Sequence, residues 1–279
     1  MTRNATSAGH EASNAGWLDL HFESSRPEYE AALRAVGISK GWSVLDAGCG
    51  SGGFLPHIAE LVGAAGSLTA LDLAPENVEM ADALLAATAP GAPARAHVGN
   101  VLALPFADAT FDCVWSANVM QYLTPAEFRQ AAAEAGRVLK PGGLYAVKEF
   151  DSTSLQIRPI DYGIFTRFMA ARMETFRKKG VLGTDCGSRL PALLGDAGWE
   201  IVRRRGWMVE RWAPAGIHTR NYLRDLLSYF ASVAADYDLP SDDHRYWRDL
   251  AGAPDRLLES PEFCYREFFT VVVCRLEGA

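Results

Sequence analysis

Residues 43–53 read Ser-Val-Leu-Asp-Ala-Gly-Cys-Gly-Ser-Gly-Gly. Val44 and Leu45 end a short apolar run that is typical of a buried strand, and glycines then follow before a helical segment at 54–62. Glycine allows positive φ and, because it lacks a Cβ, lets the backbone approach a ligand closely. The start of the helix offers unpaired N–H groups. The stretch therefore predicts a strand–turn–helix unit that holds a nucleotide-like ligand.

The ligand of this turn is not decided by the glycines alone. Gly48, Gly50 and Gly53 fit the G-x-G-x-x-G spacing of dinucleotide-binding proteins, which leaves an NAD(P)-dependent oxidoreductase open. Asp46 favours another ligand, because a carboxylate at the strand tip repels a pyrophosphate and attracts a cationic amino-acid group. Residues 46–52 resemble motif I, D-x-G-x-G-x-G, of the class I S-adenosylmethionine-dependent methyltransferases, in the small-molecule, type 11-like branch.

This resemblance implies S-adenosylmethionine as the cofactor, and it extends to about residue 150. The second predicted strand ends in Asp72, placed to accept hydrogen bonds from ribose hydroxyls. Asn100 stands where the family usually has an acid, and its carbonyl can still accept from adenine. Phe-Asp-Cys-Val at 111–114 and Leu-Lys-Pro-Gly-Gly at 139–143 match further family motifs. The implied cofactor contacts are Asp46, Gly48, Cys49, Gly50, Asp72, Leu73, Asn100, Val101, Leu102, Ser116, Ala117 and Gln121.

The order of the segments predicts an α/β fold. We expect a Rossmann-like, mostly parallel seven-stranded sheet with an antiparallel last strand, plus helical cap insertions. The aromatic-rich insertions favour an apolar or ring-containing small substrate. The predicted boundaries are a mobile tail at 1–15, a cofactor-binding core at 16–150, a cap insertion at 151–183, core at 184–212, a second cap insertion at 213–262, and the last core strand at 263–279.

Composition limits the partners. The chain has 279 residues and a formal net charge of −7, and neither half carries the basic excess of a nucleic-acid binder. Five scattered cysteines without a C-x-x-C pair favour a reducing compartment. No segment has the length and apolarity of a membrane span or a signal peptide. We expect a cytoplasmic protein with a small-molecule substrate and with no nucleic-acid or membrane partner. The sequence does not decide the oligomeric state, and a homo-oligomer is one of the alternatives.

The predicted reaction is an in-line methyl transfer, in which orientation matters most and a general base is optional. Glu149, at the end of the fifth predicted strand, and His21, in a helix ahead of the first strand, are the candidate catalytic residues. No His, Cys or acidic spacing indicates a metal site. A family member that catalyses a step other than methylation stays open. The candidate substrate contacts, each with core packing as the alternative, are Phe22, Tyr29, Asp151, Tyr162 and Tyr222.

Overall fold

The computed structural model describes residues 15–88, 91 and 93–276. The predicted tail at 1–15 therefore lies outside the described residues, apart from Ala15, where the first helix begins. The strands are β1 (Ser43–Ala47), β2 (Ser67–Asp72), β3 (Ala94–Val98), β4 (Phe111–Ala117), β5 (Leu139–Arg158), β6 (Trp199–Trp212) and β7 (Cys264–Leu276). The helices are α1 (Ala15–Arg34), α2 (Leu55–Val62), α3 (Pro75–Thr88), α4 (Pro125–Val138), α5 (Tyr162–Lys179), α6 (Cys186–Asp196), α7 (Ile217–Ala234), α8 (Ser241–Gly252) and α9 (Asp255–Leu258).

Within the described residues the strands form one seven-stranded sheet in the order β3-β2-β1-β4-β5-β7-β6. Strands β1 to β5 pair in parallel, and β7 lies antiparallel between β5 and β6. The predicted fold class is confirmed. The central strands are buried on both faces, which explains why Val44 and Leu45, adjacent in sequence, are both fully buried. Ligand sites in such sheets lie beyond the carboxyl ends of the parallel strands.

Strand β5 is longer than the sequence predicted. It continues to Arg158, beyond the boundary placed at residue 150, and it pairs with β7 as far as Cys264. The register shifts between Asp151 and Gln156, so the polar run after Phe150 stays in the sheet through an irregular ladder. Because alternation is lost at such an irregularity, residues 151–158 do not show a strand pattern in sequence. The first cap segment therefore begins after β5 and not at 151.

The cap helices pack on one another through aromatic side chains. Phe168 on α5 is fully buried, and its ring centroid lies 4.7 Å from that of Phe230 on α7 and 4.5 Å from that of Trp247 on α8. Helix α7 also packs against α1. The cap helices thus pack on one another, and the cap also packs on α1, the helix that precedes the first strand. No helix of the described ranges has the length and apolarity needed to cross a membrane.

Candidate active site

A cleft of about 1170 Å³ lies between the carboxyl ends of the strands and the cap. The turn after β1 and the tips of β2 and β4 form its floor, α1 forms one side, and α5 and α7 form the cap side. The volume exceeds that of an ordinary pocket for a single drug-sized ligand. The cleft therefore has room for two ligands side by side, one over the glycine turn and one beneath the cap.

The glycine turn requires glycine at two positions. Gly48 and Gly50 have φ angles of 86° and 54°, which other residues rarely adopt. A Cβ at Gly48 would overlap the Val119 side chain, and one at Gly50 would lie 2.9 Å from Leu18 Cδ1 on α1. The N–H of Gly50 donates to Asp72 Oδ2 at 2.9 Å, which fixes the turn against β2. Helix α1 thus lies directly over the turn.

Asp46, at the end of β1, is a buried carboxylate with an unsatisfied oxygen. Its side chain is 1% exposed, and Oδ2 has no hydrogen-bond partner in the part of the chain that the structure describes. Burial, with a smaller contribution from Asp72, raises the pKa of Asp46 from 3.8 to about 8. An unpaired buried carboxylate is costly, and a cation beside it supplies the missing partner. The residue therefore suits the positively charged end of a ligand.

Asp72, at the end of β2, is held by three hydrogen bonds. Its Oδ1 accepts from the Ala74 N–H and from Asn77 Nδ2, both at 3.0 Å, and Oδ2 accepts from Gly50. An ionised carboxylate has about four acceptor positions. Roughly one position is left for a ligand, so the structure favours a single ribose contact over the two that the sequence predicted.

A second buried cluster joins α1 to β7. His21 Nε2 lies 3.0 Å from Glu267 Oε2 and 3.1 Å from Oε1. Ser25 donates to Oε1 at 3.1 Å, and the Tyr265 hydroxyl donates to Oε2 at 2.5 Å. The Tyr29 hydroxyl lies 3.1 Å from His21 Nε2. We call these five residues the His21–Glu267 cluster, and His21 and Tyr29 are its members that line the cleft.

Lys148 on β5 connects this cluster to the strand tips. It is fully buried, its Nζ donates to Asn118 Oδ1 at 2.9 Å, and it lies 4.1 Å from the Tyr29 ring centroid. Burial lowers the pKa of Lys148 to about 8, although Glu267 and Glu149 oppose that change. Asn118 lines the cleft directly after β4 with a φ of 59°, in the left-handed region. The cluster is therefore linked by contacts to the residues beside the glycine turn.

Comparison with known proteins identifies the kind of domain that carries this site. Residues 44–143 match the model of a family described as a methyltransferase domain. The chain contains a class I methyltransferase domain. S-adenosylmethionine is the cofactor of such domains, and the unsatisfied carboxylate and the glycine turn fit its cationic amino-acid portion. The predicted family and cofactor are confirmed.

Two curated relatives match more than half of the chain. An uncharacterized 37.1 kDa protein in transposon TN4556 of Streptomyces fradiae is 31% identical over 64% of this chain and 49% of its own length. A demethylmenaquinone methyltransferase of Staphylococcus aureus is 28% identical over 54% of this chain and 60% of its own length. The chain spans about half the length of the curated relatives that it matches.

The solved structures share the fold. The crystal structure of an S-adenosylmethionine-dependent methyltransferase from Aquifex aeolicus superposes with a TM-score of 0.52 at 17% identity, covering 93% of this chain and 99% of that one. At this identity the likeness shows the fold alone. The domain match and the named methyltransferase relative do not favour the dinucleotide-dependent oxidoreductase that the glycine spacing left open.

Most of the residues assigned to the cofactor by resemblance line the cleft, and two do not. Ser116 is fully buried and donates to the Ala47 carbonyl oxygen at 2.9 Å, so its hydroxyl is used within the sheet. Leu102 packs into the apolar core beneath the loop. Asn100 Oδ1 accepts from the Leu102 N–H at 2.9 Å, so the oxygen predicted to face adenine is already engaged. The lining members are Asp46, Gly48, Cys49, Gly50, Asp72, Leu73, Asn100, Val101, Ala117 and Gln121.

The structure does not support Glu149 as a catalytic residue. Its side chain is fully buried, lies outside the cleft lining, and accepts from the Met120 N–H at 2.6 Å. Burial raises the pKa of Glu149 to about 8 against the opposing backbone N–H groups. Because neighbouring strand residues point to opposite faces, Lys148 reaches the α1 side and Glu149 does not. Glu149 instead fixes the short turn at Met120–Tyr122.

Some of the predicted substrate contacts line the cleft and others do not. Phe22, Tyr29 and Tyr222 line the cleft. Asp151 does not, because it is buried and accepts from the Thr153 N–H at 3.0 Å and from the Thr153 hydroxyl at 2.6 Å. Tyr162 is also placed outside the cleft, since it is 74% exposed at the start of α5. The described residues contain no group of three or more His, Cys, Asp or Glu side chains arranged for a metal ion.

Glu267, which the sequence analysis missed, predicts a pH-dependent stability. Burial raises the pKa of Glu267, but His21, Tyr265 and Lys148 outweigh burial and lower it from 4.5 to about 2. A lowered carboxyl pKa stabilises the fold above pH ~4.5 and loses that effect as the pH falls towards 2. The shift corresponds to roughly 3 kcal/mol.

We expect Glu267→Gln to reduce the free energy of unfolding at pH 6 and to reduce it much less at pH 3. Urea unfolding of both proteins at pH 6, 4 and 3 measures this difference. Because distant carboxyl groups titrate equally in the two proteins, the difference between them reports Glu267 together with the groups that it contacts. A difference that stays constant over this range would contradict the assigned ionisation.

Proposed function

We propose that this chain transfers a methyl group from S-adenosylmethionine to a small, ring-containing metabolite. When bound, the cofactor supplies a methyl group that is already activated by a positively charged sulfur. The observation that carries the proposal is the unpartnered, buried oxygen of Asp46 beside a glycine turn that admits a ligand. Asp46 would hold the cationic end of the cofactor, and Asp72 would accept from the ribose.

The cap side of the cleft supports a ring-containing acceptor. His21, on α1, stacks on Tyr222, on α7, with ring centroids 4.6 Å apart and planes 9° apart. Trp17 lies beside both rings, at 5.2 Å from His21 and 5.9 Å from Tyr222. Aromatic walls favour flat apolar ligands. A curated relative bears the name of an enzyme acting on demethylmenaquinone, and this name supports a ring without specifying which one.

We propose His21 as the general base. Its Nε2 faces the Glu267 carboxylate, so the neutral imidazole donates from Nε2 and carries its lone pair on Nδ1. His21 lines the cleft, and Nδ1 is the ring nitrogen that does not face the Glu267 carboxylate. A carboxylate that orients a histidine and stabilises its charged form is a recurrent catalytic arrangement. His21 would take the proton of an acceptor hydroxyl as the oxygen–methyl bond forms and the sulfur–methyl bond breaks.

The setting that we propose is cytoplasmic, with neither nucleic acid nor membrane as the substrate. All five cysteines are unpaired thiols, which supports a reducing compartment. The net charge of −7 would repel a phosphate backbone. A small molecule fits a cleft with aromatic walls better than a macromolecule would.

Calorimetric titration tests this function at its first step. We expect S-adenosylmethionine and S-adenosylhomocysteine to bind with dissociation constants in the micromolar range, and we expect NAD to show no binding at millimolar concentration. A panel of small phenols, quinols, amines and thiols, assayed with radiolabelled methyl donor, then tests transfer, with phenols and quinols expected to react fastest. NAD binding as tight as that of S-adenosylmethionine would overturn the proposal. Cofactor binding without transfer to any phenol or quinol would instead favour a different reaction of the same fold.

A further inference from the structure

The cap carries a cation that the proposed reaction does not use. Arg172, on α5, lines the cleft, and its guanidinium lies over three aromatic rings: Phe176 at 5.1 Å, Tyr229 at 5.2 Å and Phe230 at 5.9 Å. Its Nη1 donates to the Tyr229 hydroxyl at 3.0 Å. Aromatic faces hold a guanidinium by attraction to its charge and leave its edge donors available. Arg172 is therefore fixed in place by the aromatic side chains around it, and a guanidinium with five N–H donors keeps some of them for a further acceptor.

The charge of Arg172 is not balanced by a carboxylate. In the described part of the chain its guanidinium forms no ion pair, whereas the neighbouring Arg167 makes a two-pronged pair with Asp243 at 2.6 and 2.7 Å. Burial lowers the pKa of Arg172, but the tyrosine oxygens around it raise the pKa overall, so the group remains cationic. A half-buried cation without a counter-ion favours an anion from outside the chain.

Helix α7 relates this cation to the His21–Glu267 cluster. Tyr222 stacks on His21, and Tyr229 accepts from Arg172. The two tyrosines lie two helical turns apart on one face of α7, which separates them by about 10 Å. Both line the same cleft, with Leu226 between them. A ligand lying along α7 would therefore meet the imidazole at one end and the guanidinium at the other.

We propose that Arg172 binds a carboxylate group of the substrate, and that the substrate is a ring-bearing hydroxy acid with its hydroxyl and its carboxylate at opposite ends. This inference rests on the proposed function, since it assumes an acceptor hydroxyl at His21. The planar guanidinium edge matches a carboxylate with two parallel hydrogen bonds. Arg172 is thus a specificity-determining residue that sets which ring-bearing compounds are held in register with the methyl donor.

The surroundings of Arg172 favour a singly charged anion over a phosphate. Asp225, on α7, lines the same cleft and would repel a dianion more strongly than a monoanion. Lys179 lies two turns further along α5, with its Cα about 10 Å from that of Arg172, so the two cations enter the cleft at different points. One guanidinium and one tyrosine hydroxyl match the charge and the acceptor number of a single carboxylate.

The experiment compares acids with their own neutral esters. 4-Hydroxybenzoate, 4-hydroxycinnamate and their methyl esters are titrated by calorimetry into the full-length protein saturated with S-adenosylhomocysteine. We expect 4-hydroxycinnamate to bind at least about tenfold more tightly than its ester, and more tightly than the shorter acid. In Arg172→Met, which keeps the apolar stem over the rings, we expect the acid-to-ester ratio to fall to about one.

Matched variants separate recognition from folding. Arg177→Met removes an exposed cation from the same helix and is expected to leave the ratio unchanged. Tyr229→Phe removes only the hydroxyl that orients the guanidinium, and we expect it to reduce the ratio severalfold with an unchanged melting temperature. If no acid binds more tightly than its ester, or if Arg172→Met weakens both equally, the proposal is wrong. Failure of the proposed function would appear separately, as absent binding of S-adenosylhomocysteine.

Discussion

Asp46→Asn is expected to weaken S-adenosylmethionine binding by at least about 100-fold. The amide has the shape of the carboxylate, so packing around the end of β1 is retained. It lacks the negative charge, and removing one partner of a buried charge pair costs about 2–5 kcal/mol. Each ~1.4 kcal/mol is a factor of ten in affinity. Calorimetry of both proteins at pH 7.5 measures the change.

The pH dependence of binding provides a sharper test of Asp46. In the free protein the pKa of this carboxyl is raised to about 8, so most molecules must release a proton before the carboxylate can face a cation. Affinity is therefore expected to rise about tenfold per pH unit between pH 6 and 7.5. Above pH ~8 the amino group of the cofactor loses its own proton and the rise stops. Binding to Asp46→Asn should not rise between pH 6 and 7.5.

The stability of the free protein depends on the same titration of Asp46, but it is expected to fall, and not to rise, as the carboxyl group ionises. Because the pKa of Asp46 is raised, its contribution to folding is most favourable below the ordinary pKa of 3.8 and is lost as the pH rises towards 8. The asparagine of Asp46→Asn does not ionise, so this variant does not lose stability as the pH rises. It should therefore unfold at a higher urea concentration than the wild type at pH 8. Asp249→Asn, a change at an exposed position of α8, serves as the matched control. Equal affinity of Asp46→Asn and the wild type for the cofactor would remove the basis of the proposed function.

His21→Gln is expected to lower the turnover number by about 100-fold to 10,000-fold with a phenolic acceptor. Glutamine can still donate from its side-chain nitrogen to Glu267, so the link between α1 and β7 is kept. It has no basic nitrogen in the position of Nδ1. The cofactor dissociation constant should stay within about twofold, because His21 contacts Glu267 and Tyr222 on the cap side of the cleft. Single-turnover assays with a saturating acceptor measure the methyl-transfer step.

The acidity of the acceptor distinguishes a base from a residue that only supports the fold. A nitrophenol or a thiophenol is already ionised near neutral pH and needs no base, so the loss caused by His21→Gln should shrink towards unity for these acceptors. A purely structural defect would slow every acceptor alike. His218→Gln, at an exposed position of α7, is the control and should leave turnover unchanged.

The cofactor half of the site could be predicted from sequence because its determinants are local. The glycines, Asp46 and Asp72 sit within short segments in which residue type, spacing and strand ends are visible together. Leu102 and Ser116 were wrongly placed in the cleft, since the resemblance indicates positions and does not show which way a side chain points. The prediction that Glu149 is catalytic has the same weakness, because strand alternation points its side chain away from the cleft.

In the proposed acceptor half, the pairing of His21 with Glu267 could not be predicted, because these residues meet only in three dimensions. His21 and Glu267 are separated by 246 positions, and no local pattern relates them. A signal was present in β7, where Glu267 is the one acid in a strand that consists mainly of aromatic and apolar residues. Arg172 carried a weaker signal, since basic residues are common on amphipathic helices. Its significance depends on the absence of an ion pair among the described residues, which sequence does not show.

The position of β7 has a consequence for how the protein is made. It is synthesised after β6, yet it lies between β5 and β6 and is the strand that attaches β6 to the sheet. During translation the glycine turn and its strands can assemble early, whereas β6 has no strand to pair with until β7 has been synthesised. The Glu267 carboxylate lies on β7, so it can contact His21 only after β7 has joined the sheet. We therefore expect the contact between His21 and Glu267 to form after the glycine turn.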